Sequence, residues 1–337
     1  MFAVKENTPD MTRAMESGAA RDLKVYSDNY DIKFFGKLSA ARPKELLGSK
    51  PQTCRFCDKS EPIVTFKEKA HTIPRFLGNK RLLSLYECDS CNERFSAFDA
   101  DLAKMVMGEL SVGLVKGYNG VRTLTSKGQN SRIESIGGQQ TIKYFVGEPF
   151  MSQDAENRSA TIRYQTEPYR LLGAYKCLAK IAFSLLPDDQ LINFSELKQW
   201  LLEKDVDKNK VYQDGYHSCF HSSVPGFRPY QQPGVILLTR KTDIPMPYCV
   251  LVIAFGNISL QIFPPCPKKD HGFVGKSMAI TKFPLTYDLQ PWLINGTIET
   301  TVIDLSAADS VRQERQIFIE YGEAEKHPSQ PNKEAAA

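Results

Sequence analysis

Apolar residues recur at helical spacing in two stretches of the chain. Leu171, Leu172, Tyr175, Leu178, Ala179, Ala182 and Leu185 fall three and four apart, after Pro168 and before Pro187. This predicts a helix over 169–186 with a broad core-facing stripe. Phe95, Phe98, Leu102, Met105 and Val106 follow the same period within 92–107, and residues 194–202 predict a shorter helix with Ser195 near its start. Beyond Val211 the pattern changes. Residues 235–239, 248–255 and 258–263 are rich in β-branched and aromatic side chains, with Gly256-Asn257 placed for a hairpin turn. Residues 31–35, 160–164, 283–289 and 298–304 predict further strands, and 133–136 with 141–146 a hairpin about Gly137-Gly138. The run YHSCFHSS alternates as a strand, so His217 and His221 share a face but stand ~13 Å apart, too far to share a metal. Trp200, Phe227, Tyr230, Phe255, Phe263 and Phe273 are expected in the packing. Residues 148–166 are polar and predict a linker or long loop around the strand at 160–164.

The expected class is α+β: a small metal-stapled module followed by a larger mixed α+β domain. The expected division is an N-terminal extension over 1–50, the module over 51–110, and a hairpin and linker region over 111–159. An α+β unit over 160–322 and a disordered tail over 323–337 complete it. A length of 337 residues allows two domains, and a chain that is 42% hydrophobic and 24% charged can bury a sizeable core. No apolar run reaches the roughly 18 residues of a membrane span, and the N-terminus lacks the apolar stretch of a secretory signal. A cytoplasmic location without membrane contact is expected. A net charge of +4 is too small to argue for a nucleic-acid partner. Local distribution changes that picture. Lys67, Lys69, Arg75, Lys80 and Arg81 stand against the single acid Glu68 and bracket His71, which suits a phosphate-facing surface.

Four of the eight cysteines form two pairs, Cys54-Arg-Phe-Cys57 and Cys88-Asp-Ser-Cys91. Each knuckle presents two thiolates, and two knuckles close one tetrahedral four-sulfur site of the kind structural Zn²⁺ prefers. Cys177, Cys219, Cys249 and Cys266 are scattered in apolar contexts, where cysteine behaves as a small buried hydrophobe. Between the knuckles lie strand-forming residues 64–66 and 72–73 around His71, then turn signals at Pro74 and Gly78-Asn79. His71 is therefore expected on a short hairpin. Asn92 follows the fourth cysteine at a helix start. A histidine and an amide held by one zinc can converge on a second ion. An imidazole suits activation of water near neutral pH, and a cation suits the charge that builds on an attacked phosphate.

Residues 53–102, with the pattern His-x-Ile-Pro…Gly-Asn…Cys-x-x-Cys-Asn-x-x-Phe, resemble the HNH endonuclease family and its ββα-metal fold. The resemblance implies hydrolysis of phosphodiester bonds in DNA, or in some members RNA, with a divalent Mg²⁺ or Mn²⁺ ion. It implies that His71 is the general base, that Asn92 is the helix-borne metal ligand, and that Asn79 is the middle asparagine that orients the histidine. There is one departure: many members carry an acid directly before the base, and this chain has Ala70. Asp89 is the expected replacement ligand and Glu87 the other candidate, with Asp99 and Asp101 expected as solvated helix acids. Lys67, Lys69, Arg75, Lys80 and Arg81 would contact phosphates without reading sequence. Modules that resemble this one are often fused to regulatory domains in bacterial anti-phage systems. The C-terminal unit is accordingly expected to bind a regulatory ligand, a protein partner or a second copy of the chain. Ala70 keeps open a catalytically silent zinc module that binds nucleic acid or protein.

Overall fold

The run CVLVIAFG is apolar at every position, the signature of a strand covered on both faces. It forms β14 (Cys249–Gly256), in the middle of a six-stranded antiparallel sheet. The sheet order is β1 (Tyr30–Lys37), β13 (Tyr230–Arg240), β14, β15 (Ile258–Ile262), β12 (Ser218–Ser223) and β16 (Glu299–Asp304). The computed structural model describes residues 18–38, 43–145, 148–203, 216–273 and 278–320. The tail 323–337 lies outside the described residues.

Alternation along β14 sends Leu251, Ile253 and Phe255 into the main core. Val250 and Val252 go to a second core on the opposite face, with Phe263 and with Tyr26 of α1 (Gly18–Asn29). The main core is organised by α4 (Leu171–Leu185), every residue of which is buried. A helix apolar all round must be covered all round. The sheet covers one side of α4, and α2 (Asp89–Met105), the helix that follows the second knuckle, covers another. The core is thus continuous from Cys54, Phe56 and Phe95 through α4 to β14 and β15. Two further helices flank it, α3 (Met107–Val112) and α5 (Ser195–Leu202).

Smaller sheets complete the molecule. β9 (Met151–Asp154), β10 (Ser159–Gln165) and β18 (Glu314–Glu320) form one, and β6 (Leu124–Thr125), β7 (Arg132–Ile136) and β8 (Gln139–Lys143) another. They enclose a third core of Leu124, Ile133, Phe150, Ile162 and Tyr164. Three short pairs remain: β2 (Glu45–Leu47) with β3 (Leu82–Ser84), β4 (Lys116–Gly117) with β5 (Gly120–Val121), and β11 (Tyr169–Arg170) with β17 (Ser310–Val311).

Several expectations are corrected here. Residues 151–154, expected in a linker or long loop, are strand β9, paired with β10. Residues 286–289 form one helical turn, Thr286–Leu289, rather than a strand. Pro284 precedes that turn, and the Leu285 N–H donates to Asp288 Oδ2 at 2.9 Å, a local bond that competes with strand pairing. Phe227 is 77% exposed, while Trp200, Phe255 and Phe263 are buried as expected. The four scattered cysteines are buried. His217 packs on the Tyr175 ring, and burial pushes its pKa down to about 4. His221 instead faces Glu109, with Nε2 3.6 Å from Oε1. Among the described residues no helix is long and apolar enough to cross a membrane.

Candidate active site

Each knuckle is a local turn. The Cys54 N–H donates to the Lys59 carbonyl at 2.9 Å, and the Asp58 N–H donates to the Cys54 carbonyl at 2.8 Å. Cys88 is the N-cap of α2, and the Asn92 N–H donates to its carbonyl at 2.9 Å. The Sγ atoms of Cys54, Cys57, Cys88 and Cys91 all lie within 4.8 Å of one another, and those of Cys57 and Cys88 are 3.7 Å apart. A tetrahedron of sulfurs about 2.3 Å from a zinc ion has edges of about 3.8 Å, so number, chemistry and spacing fit that metal. The Cys54 and Cys91 thiols interact directly, which lowers the pKa of Cys54 and raises that of Cys91.

Arg55, inside the first knuckle, is a residue that sequence reasoning missed. Its guanidinium is buried and donates to the carbonyls of Phe183, Ser184 and Leu186 at 3.2, 2.9 and 3.0 Å. It also pairs with Asp188 at 3.0 Å and lies over the Tyr86 ring. These carbonyls sit at the C-terminal end of α4, where a helix leaves acceptors unsatisfied and favours a cation. The four-cysteine module thereby caps the central helix of the C-terminal half.

His71 forms an isolated antiparallel bridge with Leu83, and the Ser84 N–H donates to the Ala70 carbonyl at 2.9 Å. The hairpin partner of His71 is therefore β3, and residues 64–66 are not a strand. β3 lies a few residues before Cys88, so the histidine is tied to the same segment that supplies the second knuckle and Asn92. A tight loop joins His71 to β3. It contains a short 3-10 turn, Arg75–Leu77, then Gly78 at φ +89°. A Cβ on Gly78 would stand 2.8 Å from Pro233 Cγ, so conformation and close approach both require glycine there. Asn79 is fully buried and closes the loop. Its Nδ2 donates to the Ile73 and Leu82 carbonyls at 2.7 and 2.8 Å, and its Oδ1 accepts from the N–H groups of Arg81 and Leu82 at 3.1 and 2.9 Å. All four bonds run to backbone on either side of the loop.

The His71 Nδ1 is buried without a hydrogen-bond partner. Burial first, then the charges of Arg75 and Lys180, lowers the ring to about 4, so it is neutral at physiological pH. Asn92 is half-buried on the first turn of α2. Asp89 accepts from Thr65 Oγ1, from the Lys67 N–H at 3.1 Å and from the Glu68 N–H at 2.9 Å. Its oxygens thus hold the 65–68 loop against the helix start. Glu87 is buried with Oε2 2.8 Å from Lys180 Nζ, a cation contributed by α4. Asp99 accepts from Cys177 Sγ at 3.2 Å. Asp101 Oδ2 accepts from Arg170 Nε and Nη2 at 3.0 and 2.8 Å, and its Oδ1 accepts from the Arg170 N–H at 3.1 Å. Neither helix acid is the solvated side chain expected of it. Lys67, Lys69 and Lys80 are exposed, Arg75 and Arg81 are half-buried, and the Arg75 guanidinium lies 4.3 Å over the Tyr118 ring.

Burial pushes the Glu87 and Asp99 carboxyls up, and Lys180 opposes both shifts. Removing that cation leaves two buried acids without a counter-charge. Lys180→Met is expected to cost about 3–5 kcal/mol of stability. The sign follows from proton binding. Acids whose pKa is raised in the folded state bind more protons there than in the unfolded chain once pH exceeds their ordinary values. Stability is therefore lost as pH rises. Lys180→Met should melt lower at pH 8 than at pH 5.5, and Lys180→Met/Glu87→Gln should recover much of the loss. Equal losses at both pH values would refute this account.

Residues 54–107 match the model of a family described as HNH endonuclease. Together with the four-cysteine cluster, this identifies an N-terminal HNH module, the signature of a nuclease family whose substrates are nucleic acids. No curated protein and no solved structure matches the chain.

Proposed function

We propose that this protein is a metal-dependent endonuclease that hydrolyses phosphodiester bonds of DNA with little sequence selectivity. The observation that carries the reading is the placement of His71: an imidazole whose Nδ1 has no hydrogen-bond partner, on a bridge tied to the segment of the second zinc knuckle. A neutral imidazole can accept a proton from an attacking water, which is what a general base requires. Asn79 positions that ring indirectly, by closing the loop that begins at His71. Zn²⁺ on the four cysteines is the scaffold and leaves no open coordination position.

A catalytic Mg²⁺ or Mn²⁺ would be held by Asn92 and by the lone-pair capacity that Asp89 retains beside its three donors. Glu87, engaged with Lys180, is the weaker candidate. Such an ion supplies charge stabilisation at the phosphate and the leaving oxygen. Lys67, Lys69, Lys80, Arg75 and Arg81 neutralise backbone phosphates on either side of His71. Control by the C-terminal half has a physical route, because Arg55 caps α4 and Lys180 of α4 acts on both Glu87 and His71. Such coupling suits a nuclease held back until a signal arrives, as the resemblance to anti-phage fusions implies.

The competing reading is a silent zinc module that binds nucleic acid or protein. It is favoured by Ala70 and by the three donors already on Asp89. Incubation of the purified chain with plasmid DNA separates the two. Nicking is expected with Mg²⁺ or Mn²⁺ and none with EDTA. Absence of cleavage of DNA and RNA with every divalent ion would favour the silent module.

A further inference from the structure

A cleft of about 350 Å³ opens where the His71 loop meets the C-terminal half. Lys80 lines it from that loop, Lys116 from β4, and Arg228 with Tyr230, Gln231 and Gln232 from the start of β13. No carboxylate lines it. None of its three cations forms an ion pair among the described residues, and the Arg228 Nε is buried without a hydrogen-bond partner. Such a site is built to receive negative charge and has none of its own.

Two exposed aromatic rings stand next to these cations in sequence, outside the lining of the cleft itself. Tyr118, two residues after Lys116, is 75% exposed and backed by the Arg75 guanidinium. Phe227, immediately before Arg228, is 77% exposed. The fold keeps this second ring outside the core by an unusual backbone path, with Gly226 at φ +100° and Arg228 at φ +52°. A bulky residue at positive φ is costly and persists only where its surroundings impose it. One exposed ring therefore belongs to the chain segment of each cationic wall. Cations that track a phosphate backbone, combined with exposed rings on which unstacked bases can lie, are the two parts of a single-strand binding surface. A duplex offers its phosphates but hides its base faces, so it could use the cations and not the rings.

We propose that this cleft is the track along which a single-stranded stretch of nucleic acid leaves the His71 site. Lys80, Lys116 and Arg228 hold its phosphates, and Tyr118 and Phe227 stack its bases. The C-terminal half then contributes substrate-binding surface directly. This rests on the nuclease reading and adds strandedness and four residues beyond the HNH module, Lys116, Tyr118, Phe227 and Arg228.

The test is fluorescence anisotropy of a short labelled single strand, and of a duplex of the same sequence, without added Mg²⁺ or Mn²⁺ over a range of salt. The variants are Lys80→Gln/Lys116→Gln/Arg228→Gln and Tyr118→Ala/Phe227→Ala, with thermal melting of each to confirm folding. For the cation variant, the slope of log affinity against log salt should fall by about 2 for the single strand. The ring variant should weaken the single strand at least about tenfold and leave the duplex unchanged. Unchanged binding in both variants, while wild type still cleaves, would overturn the track and spare the nuclease. Equal loss for duplex and single strand in the ring variant would overturn it too. So would displacement of the oligonucleotide by micromolar mononucleotide, which would reassign the cleft to a small phosphorylated ligand. A wild type that neither binds nor cleaves any nucleic acid would overturn both readings.

Discussion

Cys88→Ser should empty the zinc site and unfold the module between the two knuckles. Structural zinc contributes on the order of 10 kcal/mol to small domains of this kind, as much as the whole stability of a typical domain. The substitution also isolates the cause. Cys88 is the N-cap of α2, and serine is among the best N-cap residues, so loss of capping cannot explain the effect. The damage should not stay local. Cys54, Phe56 and Phe95 share one core with α4, and Arg55 caps that helix from inside the first knuckle. Elemental analysis should show zinc falling from one ion per chain to none, with the melting transition lowered or lost. A strong chelator acting on wild type should do the same. Wild type that keeps its full melting temperature after its zinc is removed would refute a structural ion.

The knuckles were legible because their information is local: two cysteines three residues apart make a turn whatever surrounds them. The central helix was legible as a stripe, since Leu171, Tyr175, Leu178 and Leu185 keep the period, but its complete burial was not. That depends on α2 packing on the second side, a contact between residues about 80 positions apart in sequence, beyond any local periodicity. One signal was present: Lys176 and Lys180 stand one turn apart in an otherwise apolar helix, and a buried lysine needs a partner. The partner of His71 was misplaced for a related reason. Residues 64–66 and β3 are both short apolar stretches, and pairing between such stretches is decided by the Asn79 clamp and by Asp89 holding residues 65–68 in a loop. Phe227 is expected in the packing simply as a large aromatic side chain, whereas it lies exposed between two positions of positive φ, Gly226 and Arg228.

His71→Ala should remove cleavage and leave the fold nearly untouched. A positioned general base contributes about 10²–10⁴-fold to rate, so loss of that order is expected in kcat. The structural cost should be small, because the buried Nδ1 makes no hydrogen bond whose loss could destabilise the loop, and Asn79 closes that loop without the ring. A pH profile distinguishes this role from a merely structural one. A base works only when unprotonated, and burial with Arg75 and Lys180 lowers His71 to about 4. Wild-type kcat/KM should therefore hold steady as pH falls through 6.5, where an ordinary histidine would switch off, and decline only as pH approaches about 4. The same shift acts on stability with the opposite partner state: the unfolded chain binds the proton first. Wild type loses stability as pH falls from about 6.5 towards 4, and His71→Ala should lose less over that window. Full cleavage by His71→Ala, or an acid limb that bends near 6.5, would remove His71 from the chemistry.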